Sequence, residues 1–500
     1  MRSKEIKIHS VKYNYVMNTI LRMSSFLFPL ITFPYVSRVL GVALNGRITF
    51  SSSYVRYFTM FAQLGIPTYG IRACAGVRND RKAMSKVVQE LLIINSIMVV
   101  LCYGALLITV FTIPKIIENR PLVLISSVSV ILSCIGIEWF YQAIEQYDYI
   151  TFRNIAFKFL SIVLMFLLVH KPQDYIIYAG INVLGTVGSN ILNFFRIRRY
   201  ISLKFVNDLD LRRHLRPIFV FFMFTVSATI YTSMDAVMLG FMSTDEQVGL
   251  YAAAIKMRNI LYHLVTSIGT VLLPRASYLI QNNQREEFQK IIRTSFQFVA
   301  ALAVPLTVFF VLESRDSILF LSGAQYAGAV PAMMIVTPTI LLAGISNITG
   351  IQVLIPMGYE KYTVTSTFGG ALTDLILNSL LIPKYGAAGA AVGTLVAEVV
   401  VLLIQLYFIR KNDLMEYVQM EWGNFAKILF AGLLSGIAIF ASSRFIHFPG
   451  YFVALVVMAI VYFGIYALIL AVSKERIFWD YGIRTLGKIK ARLARKKGQR

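Results

Sequence analysis

The sequence predicts an all-α protein that crosses a membrane many times, and three observations carry that prediction. Of 500 residues, 57% are hydrophobic and only 15% charged, with a mean hydropathy of +0.67. Soluble globular chains sit at roughly 45–50% apolar and about 25% charged. Apolar runs near the roughly 20 residues needed to cross hydrocarbon recur along the whole chain. The 48 Lys and Arg gather in alternate gaps between those runs, 36 on one side and eight on the other, with four inside runs.

Cutting at charged and Pro/Gly-rich breaks gives fourteen predicted spans. The first seven run over 14–38, 47–71, 87–112, 121–143, 154–170, 175–195 and 217–241. The second seven run over 248–274, 294–312, 328–356, 362–382, 386–409, 424–445 and 450–473. The positive-inside rule then puts both termini in the cytoplasm, which an even span count allows. It also accounts for the formal charge of +23 without nucleic acid as a partner, because the cations sort by side. The basic start MRSKEIKIHSVKYNY leads directly into a span with no small-residue cleavage site, so no signal peptide is expected. Cys74, Cys102 and Cys134 are scattered and read as small core residues rather than a disulfide or metal set.

The longest basic gap, 196–216, reads as a linker between two six-helix lobes. The expected domains are an N-terminal lobe at 1–206, a C-terminal lobe at 207–412, helices thirteen and fourteen at 413–473, and a basic tail at 474–500. Interleaved Ile, Phe, Trp and Leu suit that tail to an anionic lipid surface, at about 1 kcal/mol per basic residue. The lobes echo each other. Span two starts after Gly46 and closes at Pro67, while span eight starts after Gly249 and closes at Pro274.

Four cations, Arg22, Arg56, Lys256 and Arg258, fall at membrane depth. A charge there costs about 2.5–3.5 kcal/mol on insertion scales and by default marks a functional site. Helical spacing puts Arg22 on one face with Asn14, Asn18 and Ser25, and Arg56 with Ser52, Thr59 and Gln63. Lys256 shares a face with Asn259, His263 and Ser267, with Arg258 adjoining. Span four adds Ser126, Ser129 and Ser133. Polar stripes also hold helices together, at about 0.6 kcal/mol per bond, and for the Ser, Thr and Asn positions that reading stays open. Acids are few at this depth, and an ion pair of Asp235 with Arg38 or Lys256 would still leave positive charge in excess. That excess suits an anion such as phosphate, which arginine grips in bidentate fashion. The expected substrate-binding residues are therefore Arg22, Arg56, Lys256 and Arg258 with Asn18 and Asn259. Asp235, Glu138, His263 and Arg38 are coupling or gating candidates, and Asp374 and Glu398 could serve a coupling ion. The run GAAGAAVG (Gly386–Gly393) reads as close helix contact. No Walker-type loop, HExxH or CxxC pair occurs, so neither ATP-driven transport within this chain nor a catalytic residue, metal or cofactor is expected.

Seven segments carry a family resemblance: FPYVSRVLG (Phe33–Gly41), GIPTYGIR (Gly65–Arg72), DAVMLG (Asp235–Gly240), VGLYAAAIK (Val248–Lys256), LPR (Leu273–Arg275), IPMG (Ile355–Gly358) and IPKYGAAGAA (Ile382–Ala391). In that order and spacing the chain, from about Asn14 to Arg410, resembles the Wzx-type flippases of polysaccharide biosynthesis. These O-antigen and capsule repeat-unit transporters share the MOP superfamily with MATE drug exporters and MurJ-type lipid II flippases. The resemblance implies two six-helix lobes around a cavity that opens alternately to each side. Its substrate would be an undecaprenyl-pyrophosphate-linked oligosaccharide, moved from the cytoplasmic to the outer leaflet of the bacterial inner membrane. It further implies phosphate binding by Arg22, Arg56, Lys256 and Arg258, and an H+ or Na+ gradient or the membrane potential as energy source. Membrane lipid, a polysaccharide polymerase and chain-length machinery are the partners such a role implies. The last helix pair is similar to the lipid II branch. The alternatives are a MATE-type cation-coupled exporter, which prefers acidic cavity residues, a MurJ-type lipid II flippase, or a non-transporting scaffold.

Overall fold

The computed structural model describes residues 10–202, 204, 208–443, 450–476 and 479. Among these the chain is helical nearly throughout, with no strand. Nine helices are long and apolar enough to cross a membrane, or up to eleven if each of two bent pairs is one span. Large apolar side chains such as Val100 (71% exposed), Phe152 (76%) and Val472 (76%) stand outward on them, as a lipid-facing surface requires and a wet one would not. The protein is thus a polytopic α-helical membrane protein. It divides into two compact units, Met1–Ala252 and Ala253–Arg500. The N-terminal residues 1–9, Arg444 and nearly all of the basic tail expected over 474–500 lie outside the described residues.

The first unit contains α1 (Val11–Gln63), α2 (Ile66–Ala75), α3 (Arg81–Thr112), α4 (Pro114–Glu118), α5 (Arg120–Gly136), α6 (Glu138–Ala143), α7 (Tyr147–Leu168), α8 (Tyr175–Val183), α9 (Asn190–Arg196), α10 (Arg212–Met242) and the first turns of α11 (Asp245–Gln281). A π-helical turn, Leu184–Gly188, joins α8 to α9. The 53 residues of α1 would extend about 80 Å at the helical rise, far beyond the ~30 Å of hydrocarbon. They are interrupted at Gly41, whose φ of 77° is the left-handed backbone that an L side chain resists.

Before that break α1 runs parallel to α7, and the register is constant. Thr151 Oγ1 donates to the Met17 carbonyl (3.0 Å), Lys158 Nζ to Ser24 and Ser25 Oγ (3.2 and 2.9 Å), and Tyr35 OH to the Val169 carbonyl (2.7 Å), each pair 133 or 134 residues apart. After the break α1 runs antiparallel to α10 and the start of α11. Arg56 meets Ser233, the Phe50 ring meets Phe241 edge-on at 5.2 Å, and Arg47 meets Asp245. At Gly46 a Cβ would lie 1.8 Å from the Asp245 carbonyl oxygen and 2.9 Å from the Gly249 amide nitrogen. The two glycines paired in the sequence as equivalent starting points therefore share one close crossing, Gly46 against the Asp245 and Gly249 backbone and Gly249 against that of Val42.

The second unit continues α11 and adds α12 (Arg285–Leu312), α13 (Ser314–Ser322), α14 (Val330–Val336), α15 (Thr339–Asn347), α16 (Glu360–Lys411), α17 (Trp422–Ser443) and α18 (Tyr451–Val472). The 52 residues of α16 fold back on themselves at Gly386 (φ 53°). Tyr362 stacks on Phe408 at 4.0 Å, and Gln405 Nε2 donates to Ser366 Oγ at 3.2 Å. A Cβ at Gly393 would lie 2.3 Å from Asn378 Oδ1, and one at Gly389 2.5 Å from the Leu381 carbonyl. The GAAGAAVG run thus serves close helix contact. The last pair, α17 and α18, is an antiparallel hairpin (Lys427 Nζ to the Ser473 carbonyl, 3.1 Å; Tyr462 OH to the Gly432 carbonyl, 3.2 Å) that packs on α12 through Tyr466 OH and the Ala301 carbonyl (2.9 Å). All three cysteines are buried and free.

Between α12 and α13, Glu313 is buried beside Asp316. Burial, reinforced by the neighbouring carboxylate, pushes its pKa up to about 7. A carboxyl raised in the fold is tolerated while protonated, so its contribution is most favourable below its unfolded value near pH 4.5 and weakens as pH rises through about 7. Thermal unfolding of purified protein should therefore show the wild type losing stability between pH 5 and about 8 relative to Glu313→Gln. Parallel curves for the two proteins would refute this.

Candidate functional site

Two stripes that the sequence separates by some seventy residues face one space. In the first unit a cavity of about 410 Å³ lies among α1, α5 and α8, lined by Ser52, Arg56 and Thr59 from α1 and by Ser126, Ser129 and Ser133 from α5. Asn182 and Thr186 close a third side from α8 and the π turn. The steps 52–56–59 and 126–129–133 keep each set on one helical face. Arg56 is exposed to the cavity, and its Nη1 donates to Ser233 Oγ on α10 at 3.3 Å, its one hydrogen-bond partner among the described residues. A guanidinium carries five N–H donors. Most of its donor capacity thus points at open space.

Arg22 is also exposed on α1, toward Tyr147, but it is not among the cavity's lining residues. Asn18, one turn earlier, is half-buried. Arg38, expected in a loop, sits inside α1 and donates to the Pro34 carbonyl at 2.6 Å. Asp235 is buried and accepts a hydrogen bond from Tyr251 OH.

Glu138 pairs with Arg153 at 2.7 Å. The sequence assigned Arg153 to a cytoplasmic gap, yet it lies in α7, only 4% exposed, with Nη1 also reaching the Ser189 carbonyl (3.2 Å) and Asn190 Oδ1 (3.3 Å). The expected span start is seven residues late: the α7 helix begins at Tyr147 rather than 154.

In the second unit Lys256, Arg258, Asn259 and His263 are half-buried on α11. Arg258 is held on several sides. Its Nη2 pairs with Glu398 (2.9 Å), Nε donates to Thr339 Oγ1 (2.9 Å), Nη1 to Asn259 Oδ1 (3.3 Å), and its guanidinium lies over the Tyr262 ring at 4.7 Å. Glu398 is itself buried, so the coupling-ion candidate and the phosphate candidate satisfy each other. His263 lies edge-on to Tyr262. Breaking a buried ion pair from one side costs about 3–5 kcal/mol, while replacing both partners with apolar residues is often near neutral. Glu398→Leu should therefore lower the melting temperature by several degrees, and Arg258→Leu with Glu398→Leu should recover most of it. Additive losses in the double variant would contradict this.

Two further clusters lie outside the expected residues. Glu90, fully buried in α3, accepts from the Asp210 amide (2.7 Å), from His214 Nε2 (2.8 Å) and from Arg213 Nη2, while Tyr69 OH meets His214 Nδ1 at 2.7 Å. Gln89 Nε2 donates to the Ser202 and Lys204 carbonyls, each at 2.9 Å. The presumed linker is thus strapped to α3. At the other end of α1's second segment, Arg47 bridges Glu118 (2.6 Å) and Asp245 (2.9 Å), and Lys115 bridges the same two acids at 3.4 and 2.8 Å.

Residues 11–280 match the family described as "Polysaccharide biosynthesis protein". A protein of Escherichia coli (strain K12) named as a candidate O-antigen transporter is 25% identical over 410 residues, covering 81% of this chain and 98% of that one. In fold, the chain is similar to a solved structure of the lipid II flippase MurJ in an inward closed conformation (TM-score 0.73, 17% identity, covering 93% of this chain and 99% of that chain). It is also similar to an inward-facing multidrug resistance MATE family transporter of the MOP superfamily (TM-score 0.55, 15% identity, covering 80% and 98%). With more than half of its length matched, and with the membrane-helical fold of MurJ and MATE transporters, this chain belongs to the polysaccharide biosynthesis protein family.

Proposed function

We propose that this protein is a flippase that moves an undecaprenyl-pyrophosphate-linked oligosaccharide from the cytoplasmic to the outer leaflet of a bacterial inner membrane. It would do so by alternating access, in the service of polysaccharide biosynthesis, and not as an enzyme. The carrying observation is Arg56: a cation with one hydrogen-bond partner among the described residues, facing a hydroxyl-lined cavity among apolar helices. Moving a sugar and a diphosphate through hydrocarbon unaided is prohibitive, since each unpaired polar group costs several kcal/mol. A cationic, hydroxyl-lined cavity replaces that hydration, while the polyprenyl chain stays in lipid.

Fourteen spans fit this reading. The broken helices α1 and α16 would each contribute two, the bent pairs one each, and α11 one more. Both termini would then face the cytoplasm with most of the basic residues. Arg22 and Asn18 would assist on the diphosphate in the first unit, and Lys256 and Asn259 would bind anion in the second. A proton or sodium gradient, or the membrane potential, would drive release, and a polymerase with its chain-length machinery would take the product. A small-molecule exporter for cationic drugs would be better served by a free carboxylate where Arg56 stands.

The deciding experiment is depletion of this protein followed by extraction of lipid-linked glycans. Accumulation of one such glycan on the cytoplasmic leaflet is expected. An unchanged lipid-linked pool with intact surface polysaccharide would defeat the proposal.

A further inference from the structure

Four of the seven hydroxyls that line the 410 Å³ cavity do not point their protons into it. Ser52 Oγ donates to the Thr49 carbonyl (3.0 Å), Thr59 Oγ1 to Val55 (3.1 Å), Ser129 Oγ to Ser126 (2.6 Å), and Thr186 Oγ1 to Asn182 (2.8 Å). Each is the back-bond that a hydroxyl makes to its own helix three or four residues earlier. A hydroxyl so engaged keeps its oxygen lone pairs and offers only acceptors. Four acceptors from three sides thus face one cavity, beside the Arg56 guanidinium as its charged donor and the Asn182 amide and the Ser53, Ser126 and Ser133 hydroxyls as neutral ones.

This pattern discriminates between ligands. A phosphate offers only acceptors, which Arg56 can satisfy but the four oxygens cannot. A sugar ring offers a donor at every free hydroxyl, with acceptors besides. The volume lies within the roughly 300–1,000 Å³ of small-ligand sites, which suits one ring and its substituent rather than a whole oligosaccharide.

We propose that this cavity is a monosaccharide subsite in which sugar hydroxyls donate to Ser52, Thr59, Ser129 and Thr186 while Arg56 takes an oxygen of the same ligand. The subsite rests on the flippase reading and refines it, making the first unit a reader of sugar as well as of charge. Helix-to-helix glue, the bland reading of the same stripes, does not explain why these hydroxyls face space instead of one another.

The test is equilibrium binding to the full-length protein in nanodiscs, with two probes: undecaprenyl diphosphate, and undecaprenyl diphosphate carrying one hexose. The wild type should bind the hexose-bearing lipid at least about ten-fold more tightly. Each lost acceptor is worth roughly five-fold. Thr59→Val with Ser129→Ala should therefore bring the ratio of the two affinities close to one, whereas Thr112→Val, an exposed back-bonded threonine outside the cavity, should leave the ratio intact. Equal affinity of wild type for both lipids overturns the sugar subsite but leaves the flippase reading standing. A preference that survives in the double variant also overturns it. Binding of neither lipid overturns both.

Discussion

Arg56→Ala is expected to cut surface polysaccharide by at least about ten-fold while the protein still reaches the membrane at normal levels. A charge-assisted hydrogen bond contributes about 1.5–3 kcal/mol, or roughly ten- to a hundred-fold in affinity. Among the described residues Arg56 has one modest internal partner, Ser233 at 3.3 Å, so its removal orphans little in the fold. Function should therefore fall much further than stability. Arg56→Lys keeps the charge but loses the planar fork, and should recover only part of the activity. The matched change Arg258→Ala separates site from scaffold, because Arg258 is tied to Glu398 and Thr339 and its loss should show first as a lowered melting temperature. Complementation of a null strain with glycan blotting, alongside membrane quantification, reads both. Normal surface polysaccharide in Arg56→Ala would remove Arg56 from the site.

A second large effect is expected where the helices touch without side chains. Gly46→Leu should destabilise the packing of α1 against the start of α11 by about 2–3 kcal/mol or more, the upper range for overpacked cores. Even a methyl group there meets the Asp245 carbonyl at 1.8 Å, and Gly249 meets the Val42 carbonyl at 2.2 Å. These neighbours are backbone and cannot rotate away, so the two segments must separate. Separation also pulls Asp245 from Arg47 and Lys115. Gly104→Leu is the control, since a Cβ there meets nothing within 4 Å. A several-degree loss of thermal stability and loss of glycan export in Gly46→Leu, with Gly104→Leu unaffected, is the expected pair. Equal behaviour of the two variants would show that the close approach carries no weight.

The two effects test different links. Arg56 concerns what the cavity holds, and Gly46 concerns which arrangement of the first unit is stable. A transporter has to bind with moderate strength and change that strength between arrangements. The Arg47–Lys115–Asp245–Glu118 group is a strong local tie in the arrangement seen, and its charges lie partly in reach of solvent.

Much of the fold was legible from composition and period alone. Apolar runs of span length, punctuated by Pro, Gly and charge, produce helices because lipid leaves a backbone no other way to satisfy its hydrogen bonds. The close contact at Gly389 and Gly393 was legible for a related reason: small residues four apart on a helix leave a groove that only another helix fills. Half of the site was legible too. The Arg56 stripe and the Ser126–Ser129–Ser133 stripe were each visible as a helical face, and they line one cavity.

What the sequence could not determine was pairing. Nothing local announces that Arg258 is neutralised by Glu398, 140 residues on, that Arg153 enters the membrane helix to meet Glu138, or that Glu90 straps down Arg213 and His214. A cation at membrane depth reads the same whether its partner is an internal carboxylate or an absent ligand, because the penalty for burying the charge is identical in both. Only the tertiary structure, by bringing distant helices together, satisfied Arg258 internally and left Arg56 facing open, hydroxyl-lined space.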